Sequence, residues 1–155
     1  MDIVSTADPD DAAWLTLRSE FIPEIDPAEQ RSFLQAFARD SASFRAFVAT
    51  DPQAGLLGFA EVAVRTDFVN GCHHRPALFL EGIFVRPEHR GLGLGRLLAR
   101  RVVEEGRKLG YRSMRLDTLD RLEGAIALYR SMGFRTTAPY YLNPLSGAMF
   151  WEKEL

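Results

Sequence analysis

The chain has 155 residues, with 19 lysine and arginine residues against 21 aspartate and glutamate residues and a net charge of −2. This length can bury one core, and the charge balance excludes the basic surface of a nucleic-acid-binding domain. No apolar run reaches the roughly 20 residues of a membrane span, and the N-terminus lacks the features of a signal peptide. Cys72 is the single cysteine, which excludes an internal disulfide. We therefore expect one cytoplasmic domain over residues 1–155.

Two helices are predicted first along the chain. Asp8-Pro9 places an N-cap residue before a proline at the first helical position, and Asp26-Pro27 repeats this signal. The apolar residues that follow each signal recur at helical spacing, so each helix has one apolar face. These residues are Trp14, Leu17 and Phe21 in the first helix, and Phe33, Leu34 and Phe37 in the second.

Three strands are predicted next. Residues 44–50 and 56–65 are strand-like and are separated by the turn sequence Asp51-Pro52-Gln53-Ala54-Gly55, which indicates a hairpin. A polar loop over residues 66–76 then precedes residues 78–85. This last segment is almost continuously apolar, as is typical of a central strand that is covered on both faces.

The C-terminal half alternates between helical and strand patterns. A helix is predicted to run to about Leu109 with Gly110 after its end, followed by a strand over residues 113–118. A second helix covers residues 123–132, and residues 134–155 form a final hairpin. The order of elements predicts an α/β (α+β) fold in which a central mixed β-sheet is flanked by helices.

The segment from Arg90 to Gly95, Arg-Gly-Leu-Gly-Leu-Gly, lies between the apolar strand and the helix that follows it. Glycines allow close approach of the backbone to a phosphate, and the first-turn N–H groups of a helix have no helical partner. Together with the helix dipole, these features predict a pyrophosphate site. The spacing differs from the P-loop, because no Gly-Lys-Ser/Thr follows, and from the Gly-x-Gly-x-x-Gly dinucleotide fingerprint.

This Arg-x-x-Gly-x-Gly pattern resembles the acetyl-CoA motif of the GNAT family of N-acetyltransferases. Residues 125–134, Ala-Ile-Ala-Leu-Tyr-Arg-Ser-Met-Gly-Phe, resemble the family's second helix and its Gly-Phe turn. The resemblance implies a single GNAT-type domain that transfers an acetyl group from acetyl-CoA to a primary amine by direct attack on the thioester. The residues it implies for acetyl-CoA binding are Ile83, Phe84, Val85, Arg90, Gly91, Leu92, Gly93, Leu94, Gly95 and Arg96.

Two carboxylates are candidates for action on the amine. Glu81 is a lone carboxylate in an apolar strand, where desolvation would raise its pKa toward that of a useful base. A structural ion pair or a half-exposed strand end is the alternative. Asp117 lies near the C-terminal end of the next strand, where ligands of open α/β sheets bind. It either holds a cationic substrate or caps the following turn.

Tyr129 lies on the helix of the second motif and is the third catalytic candidate. A phenol near the thioester sulfur can donate a proton or a hydrogen bond, and packing in the core is the alternative. In the GNAT family the tyrosine of this pattern often serves as the general acid, so the resemblance favours the catalytic role.

A closer resemblance links two segments to one branch of the family. Residues 65–72 and 79–85 are similar to the aminoglycoside 6′-N-acetyltransferases, which modify antibiotics. The resemblance implies that Glu81 and Asp117 contact the aminoglycoside and that Ile22 and Phe68 flank it. The branch has tryptophan and tyrosine at these last two positions. Eight carboxylates are candidates to line an acidic cleft: Glu20, Glu24, Asp26, Glu61, Asp67, Glu81, Asp117 and Asp120.

Other functions remain open from the sequence. The acceptor could be another small amine, an amino acid or a peptide N-terminus, and a non-catalytic acyl-CoA-binding module is an alternative from another class. Cys72-His73-His74 is a poor metal site, because adjacent residues of an extended chain point to opposite sides. We expect no metal, no nucleic acid and no membrane partner, and the family resemblance implies that a C-terminal hairpin can support a homodimer.

Overall fold

The structure is a computed structural model that describes residues 1–40, 44–65, 77–139 and 142–155. Within these residues the strands form a mixed sheet in the order β1-β2-β3-β4-β5-β7-β6, which confirms the predicted fold class. The strands are β1 (Asp2–Thr6), β2 (Phe44–Asp51), β3 (Gly55–Arg65), β4 (Ala77–Val85), β5 (Ser113–Leu119), β6 (Arg135–Thr137) and β7 (Ala148–Glu154). The helices are α1 (Ala12–Phe21), α2 (Pro27–Asp40), α3 (Leu94–Lys108) and α4 (Glu123–Ser131), and a 3₁₀ turn spans Pro87–His89.

The chain divides into two compact units. The first contains residues 1–63 and 81–102, and the second contains residues 64–80 and 103–155. That all 155 residues act as a single domain stays a prediction. In the described part of the chain, no helix combines the length and the apolar character that crossing a membrane requires.

The first unit is built on three antiparallel strands. β1 pairs with β2, and β2 pairs with β3 across a bulge at Ala49 and Thr50. Of the apolar faces predicted for the two helices, Trp14, Leu17, Leu34 and Phe37 pack on this sheet, whereas Phe33 is exposed. The buried side chains of this core are Trp14, Leu17, Leu34, Phe44, Ala46, Val48, Phe59 and Ala63.

Two features of the N-terminal region differ from the sequence prediction. The N-cap of α1 is Asp11, whose side chain accepts a hydrogen bond from the Trp14 N–H at 3.0 Å. Asp8 instead closes the preceding turn, where its carboxylate accepts from the Asp10 N–H at 2.9 Å. β1 was not predicted, because three of its five residues are exposed and it carries no continuous apolar pattern. The N-cap predicted for α2 is confirmed, since Asp26 accepts from the Ala28 N–H at 2.9 Å.

The second unit contains one parallel pairing and two antiparallel pairings. β4 pairs in parallel with β5, with Leu78 opposite Met114 and Phe79 opposite Arg115. β7 pairs antiparallel with both β5 and β6, which confirms the predicted final hairpin. Gly110 has a φ of +81°, and its N–H donates to the Arg107 carbonyl at 3.0 Å. This glycine therefore ends α3 as the sequence predicts.

Two glycines provide matched stability tests. At Gly58 a Cβ would clash with the Phe84 carbonyl oxygen of β4, whereas a Cβ at Gly124 in α4 meets nothing within 4 Å. We expect Gly58→Ala to lower the free energy of unfolding by about 1–3 kcal/mol because the backbone must shift. Gly124→Ala should raise it by up to about 1 kcal/mol. Denaturant unfolding measures both values, and equal effects would contradict the close approach of β3 to β4.

Candidate active site

The N-terminus of α3 has the local structure of an anion site. Gly91 and Gly93 have φ values of +79° and +82°, a conformation that favours glycine. The Gly93 carbonyl accepts the first helical hydrogen bond, from the Leu97 N–H at 3.1 Å, so Gly93 is the N-cap. Glycine has no side chain with which to cap the first-turn N–H groups. These groups consequently keep their donor capacity for a ligand.

The charge at this end of α3 is the reverse of what stabilises an isolated helix. The first turn contains no acidic residue, and it includes the exposed Arg96. A positive side chain opposes the positive end of the helix dipole, whereas a bound anion would complement both. The first turns of α2 and α4 carry Glu29 and Glu123 instead. The electrostatics of α3 therefore favour a negatively charged ligand.

Arg90, the arginine of the motif, anchors the loop to the end of β4. Its Nε donates to the Val85 carbonyl at 2.8 Å, and its guanidinium lies 5.9 Å from the centroid of the Phe84 ring. The 3₁₀ turn adds a bond from the Arg90 N–H to the Pro87 carbonyl at 3.3 Å. Arg90 thus fixes where the strand ends and where the glycine segment begins.

A second arginine joins the end of β4 to α1. Arg86 donates to both carboxylate oxygens of Glu20, at 2.8 and 2.6 Å, and to the Leu56 carbonyl at 2.7 Å. The hydrogen bond from Arg86 lowers the pKa of Glu20. This bidentate pair holds the last turn of α1, which ends beside Ile22, the half-buried C-cap residue. Ile22 was predicted to flank the acceptor, and that role stays a prediction.

The first unit buries a different carboxylate from the one that the sequence suggested. Glu61 on β3 is 3% exposed, whereas Glu81 on β4 is half-buried. Glu61 accepts from the Trp14 indole at 2.9 Å and forms an ion pair with Arg18. Arg18 is 7% exposed. Glu61 therefore does not line an open acidic cleft as a free carboxylate.

This buried cluster lies next to the segment that carries Glu81. A Cβ at Gly82 would lie 3.3 Å from the Glu61 carboxylate and 3.3 Å from the Phe21 ring. The sequence offered a signal for the cluster, because Trp14 and Arg18 are four residues apart on one helix face. The partner is 43 residues from Arg18, and no local pattern connects them.

In the second unit, Asp117 is a half-buried carboxylate that accepts a hydrogen bond from the Asn143 amide at 2.8 Å. Burial raises the pKa of Asp117, and the bond from Asn143 and the charge of Arg65 oppose that rise. Asn143 was not predicted from the sequence to be a site residue. It is 26 residues away from Asp117 and follows no motif.

Tyr129 is 5% exposed and packs against Phe134 and Trp151, with ring centroids 5.8 and 6.5 Å away. Burial, and then the negative charge of Asp117, raise the pKa of the Tyr129 phenol above its usual value. The phenol therefore stays protonated at neutral pH. The core packing given above as the alternative for Tyr129 is observed, and the charge of Asp117 acts on its phenol.

Some predicted residues lie outside the described part of the chain. They are Phe68 and Asp67 of the implied acceptor site and the Cys72-His73-His74 segment. Among the described residues, no group of three or more histidine, cysteine, aspartate or glutamate side chains has the geometry of a metal site.

Comparison with known proteins identifies the family. Residues 11–134 match the model of the acetyltransferase (GNAT) family. The chain belongs to this family, and it is an acetyltransferase by that membership.

Three relatives illustrate the range of similarity. An uncharacterized N-acetyltransferase of Schizosaccharomyces pombe is 49% identical over 108 residues, 70% of this chain and 62% of that protein. An aminoglycoside N(6′)-acetyltransferase type 1 of Stenotrophomonas maltophilia is 37% identical over 88% of both chains. The solved aminoglycoside N-acetyltransferase AAC(6′)-Iy in complex with CoA has a TM-score of 0.78 at 27% identity, over 94% of each chain.

The environment of Tyr129 makes an alkaline titration informative. We expect Tyr129 to ionise at a higher pH than the ordinary value of about 10, and Tyr129→Phe to remove this late component of the titration. The unfolded chain releases this proton first, so the contribution of Tyr129 to the free energy of unfolding should fall as pH rises above about 10. Phenolate absorbance checks the prediction. An unchanged titration curve in Tyr129→Phe would contradict it.

Proposed function

We propose that this protein transfers the acetyl group of acetyl-CoA to the 6′ amine of an aminoglycoside. The observation that carries the acetyl-CoA part is the N-terminus of α3, where Gly93 is the N-cap and Arg96 lies in the first turn. Such a terminus offers backbone N–H donors and positive potential to a pyrophosphate. Acetyl-CoA supplies the thioester. The residues of this chain bind acetyl-CoA and the acceptor, orient the two, and remove the proton of the attacking amine.

Each candidate residue has a role that its surroundings permit. The N–H groups of the segment from Gly91 to Arg96 hold the pyrophosphate, and the backbone of residues 83–85 holds the chain that leads to the thioester. Glu81 accepts the proton of the attacking amine, and Asp117 attracts the ammonium form of the acceptor. A neutral, oriented amine attacks a thioester readily, so positioning supplies much of the rate.

Tyr129 suits hydrogen bonding better than full proton transfer. A thiol has a pKa of about 8.5, and burial raises the pKa of Tyr129 above that of an ordinary phenol. Complete transfer of its proton to a thiolate is therefore unfavourable. We assign Tyr129 the donation of a hydrogen bond to the leaving sulfur, with its ring packed in the core of the second unit.

The choice of acceptor is supported by relatives and by charge. The S. maltophilia relative is named an aminoglycoside N(6′)-acetyltransferase. A solved structure of AAC(6′)-Iy with the bisubstrate analogue CoA-S-monomethyl-acetylneamine matches this chain with a TM-score of 0.78 at 27% identity. Glu81 and Asp117 supply negative charge for a cationic acceptor. The same proposal places the enzyme in the cytoplasm as an antibiotic-modifying homodimer.

One observation favours a second candidate, a smaller amine, amino acid or peptide N-terminus with fewer positive charges. Arg86 and Arg18 pair with Glu20 and Glu61, two of the eight carboxylates considered for an acidic cleft. The Asp26 carboxylate accepts a hydrogen bond as the N-cap of α2. A polycation gains from several uncompensated carboxylates, because one exposed pair contributes only about 0–1 kcal/mol.

The proposed cofactor site has a matched test. Gly93 and Gly55 both have positive φ, +82° and +76°, and a Cβ meets nothing within 4 Å at either position. Valine should therefore strain both backbones similarly, but only Gly93→Val should weaken acetyl-CoA binding, by about tenfold or more. Glu81→Gln should bind acetyl-CoA normally, because its role concerns the amine. Calorimetry measures the three affinities. Equal affinities in folded Gly93→Val and Gly55→Val would reject the site.

The acceptor is tested with a panel of amines at several salt concentrations. We expect 6′-amino aminoglycosides to be acetylated and 6′-hydroxyl analogues to react poorly, with a KM that rises with salt because ions screen the carboxylates. Glu81→Gln and Asp117→Asn should impair acceptor turnover. Efficient transfer to an amino acid or peptide, with none to any 6′-amino aminoglycoside, would select the second candidate. Acetyl-CoA binding without transfer to any amine would indicate a non-catalytic binding module.

A further inference from the structure

Asn143 lies in a loop that is tied at both ends to the C-terminal end of β5. Its amide nitrogen donates to the Asp117 carboxylate at 2.8 Å, and its amide oxygen accepts from the Leu145 N–H at 2.9 Å. At the other end of the loop, the Asp120 N–H donates to the Gly147 carbonyl at 2.9 Å. Both the nitrogen and the oxygen of the Asn143 amide thus form hydrogen bonds, and the nitrogen donates to a carboxylate.

Glycine is required where this loop enters β7. Gly147 has a φ of +77°, and a Cβ there would lie 2.6 Å from the Cγ atom of Asp120. The loop consequently has a defined path past the end of β5. These contacts restrict rotation of the Asn143 side chain, so its N–H₂ group stays directed at Asp117.

We propose that Asn143 is a positioning residue for acceptor binding: its amide keeps the Asp117 carboxylate ionised and oriented to attract the acceptor's ammonium group. This inference rests on the proposed function, which gives Asp117 that task. A hydrogen bond to a charged group stabilises the charged form, whereas the same bond to a neutral carboxylic acid is weaker. The amide adds no charge of its own, so it does not neutralise the carboxylate.

Groups from several elements act on Asp117 or respond to its charge. Asn143 and the positive charge of Arg65, at the end of β3, favour the carboxylate, while burial disfavours it. Tyr129 on α4 is neutral at physiological pH, and the negative charge of Asp117 contributes to raising its pKa. Asn143 therefore opposes the effect of burial without adding a charge, as does a backbone hydrogen bond at Asp117.

Two substitutions separate this role from a purely structural one. Asn143→Leu removes both hydrogen bonds of the side chain. Asn143→Asp keeps an oxygen for the Leu145 N–H but places a second carboxylate against Asp117. Ser146→Ala, at an exposed position of the same loop, is the matched control. The first readout is the pKa of the Asp117 carboxyl group, which is measured by ¹³C NMR titration of the protein without acceptor.

We expect both Asn143 variants to raise this pKa by about one unit or more, the size of a lost charge-assisted hydrogen bond, and Ser146→Ala to leave it unchanged. In Asn143→Leu the acidic limb of kcat/KM for a 6′-amino aminoglycoside should move to higher pH by the same amount. The KM of the acceptor should rise and the affinity for acetyl-CoA should stay constant. In an Asp117→Asn background, Asn143→Leu should have no further effect on the pH profile.

The outcomes distinguish this inference from the proposed function. An unchanged Asp117 pKa in both variants, or reduced stability with an unchanged acidic limb, would overturn the role of Asn143. If wild-type protein acetylates no amine, the proposed function fails by itself. The NMR titration would then still decide whether Asn143 keeps Asp117 ionised.

Discussion

The first-turn N–H groups of α3 impose the main constraint on the first unit. The proposed function has these groups bind a phosphate, which requires that the chain itself does not cap them and that they are held in a fixed position. Gly93 satisfies the first condition, because a glycine N-cap has no side-chain oxygen. The second is met by arginines, since Arg90 fastens the loop to the Val85 carbonyl and Arg86 fastens the strand end to α1. Gly58 completes the arrangement by letting β3 lie close to the Phe84 carbonyl.

Ion pairs in the first unit position the backbone rather than a ligand. Glu61 is buried with Arg18 and the Trp14 indole, so its charge is compensated inside the unit. Loss of one member of a buried pair leaves an uncompensated charge and typically costs about 3–5 kcal/mol. The pair therefore fixes α1 against β3, next to the Gly82 segment. Its position explains why the count of acidic residues in the sequence overstates the negative charge that an acceptor can meet.

Local patterns in the sequence predicted most elements, because their signals lie within a few residues. The glycine segment, the start of α2 at Asp26 and the end of α3 at Gly110 are examples. β1 was not predicted, because a short, exposed edge strand has little apolar periodicity. Asp8 and Asp11 are both plausible N-caps, and only the helix itself selects Asp11.

The candidate site was harder to predict than the fold, because its contacts span long distances along the chain. Glu61 and Glu81 are both lone carboxylates in apolar strands, and the sequence could not tell which one is buried. The Glu61 partners Trp14 and Arg18 are on α1, and Asn143, one partner of Asp117, is in the loop before β7. Sequence patterns involve residues at short spacing. Asp117 was therefore predicted, but neither Arg18 as a partner of Glu61 nor Asn143 as a partner of Asp117 was.

Glu61 and Asp117 differ in the kind of group that stabilises their negative charge. An arginine partner, as at Glu61, stabilises a carboxylate by cancelling its charge, which leaves little field to attract a cation. The amide of Asn143 stabilises the ionised form of Asp117 through a hydrogen bond and adds no charge, while the positive charge of Arg65 also acts on this carboxylate. Half-burial then strengthens the interaction of that charge with a cationic group, because the surroundings screen it less than water does. The proposed function therefore assigns ammonium recognition to Asp117, whereas the buried ion pair of Glu61 holds α1 against β3.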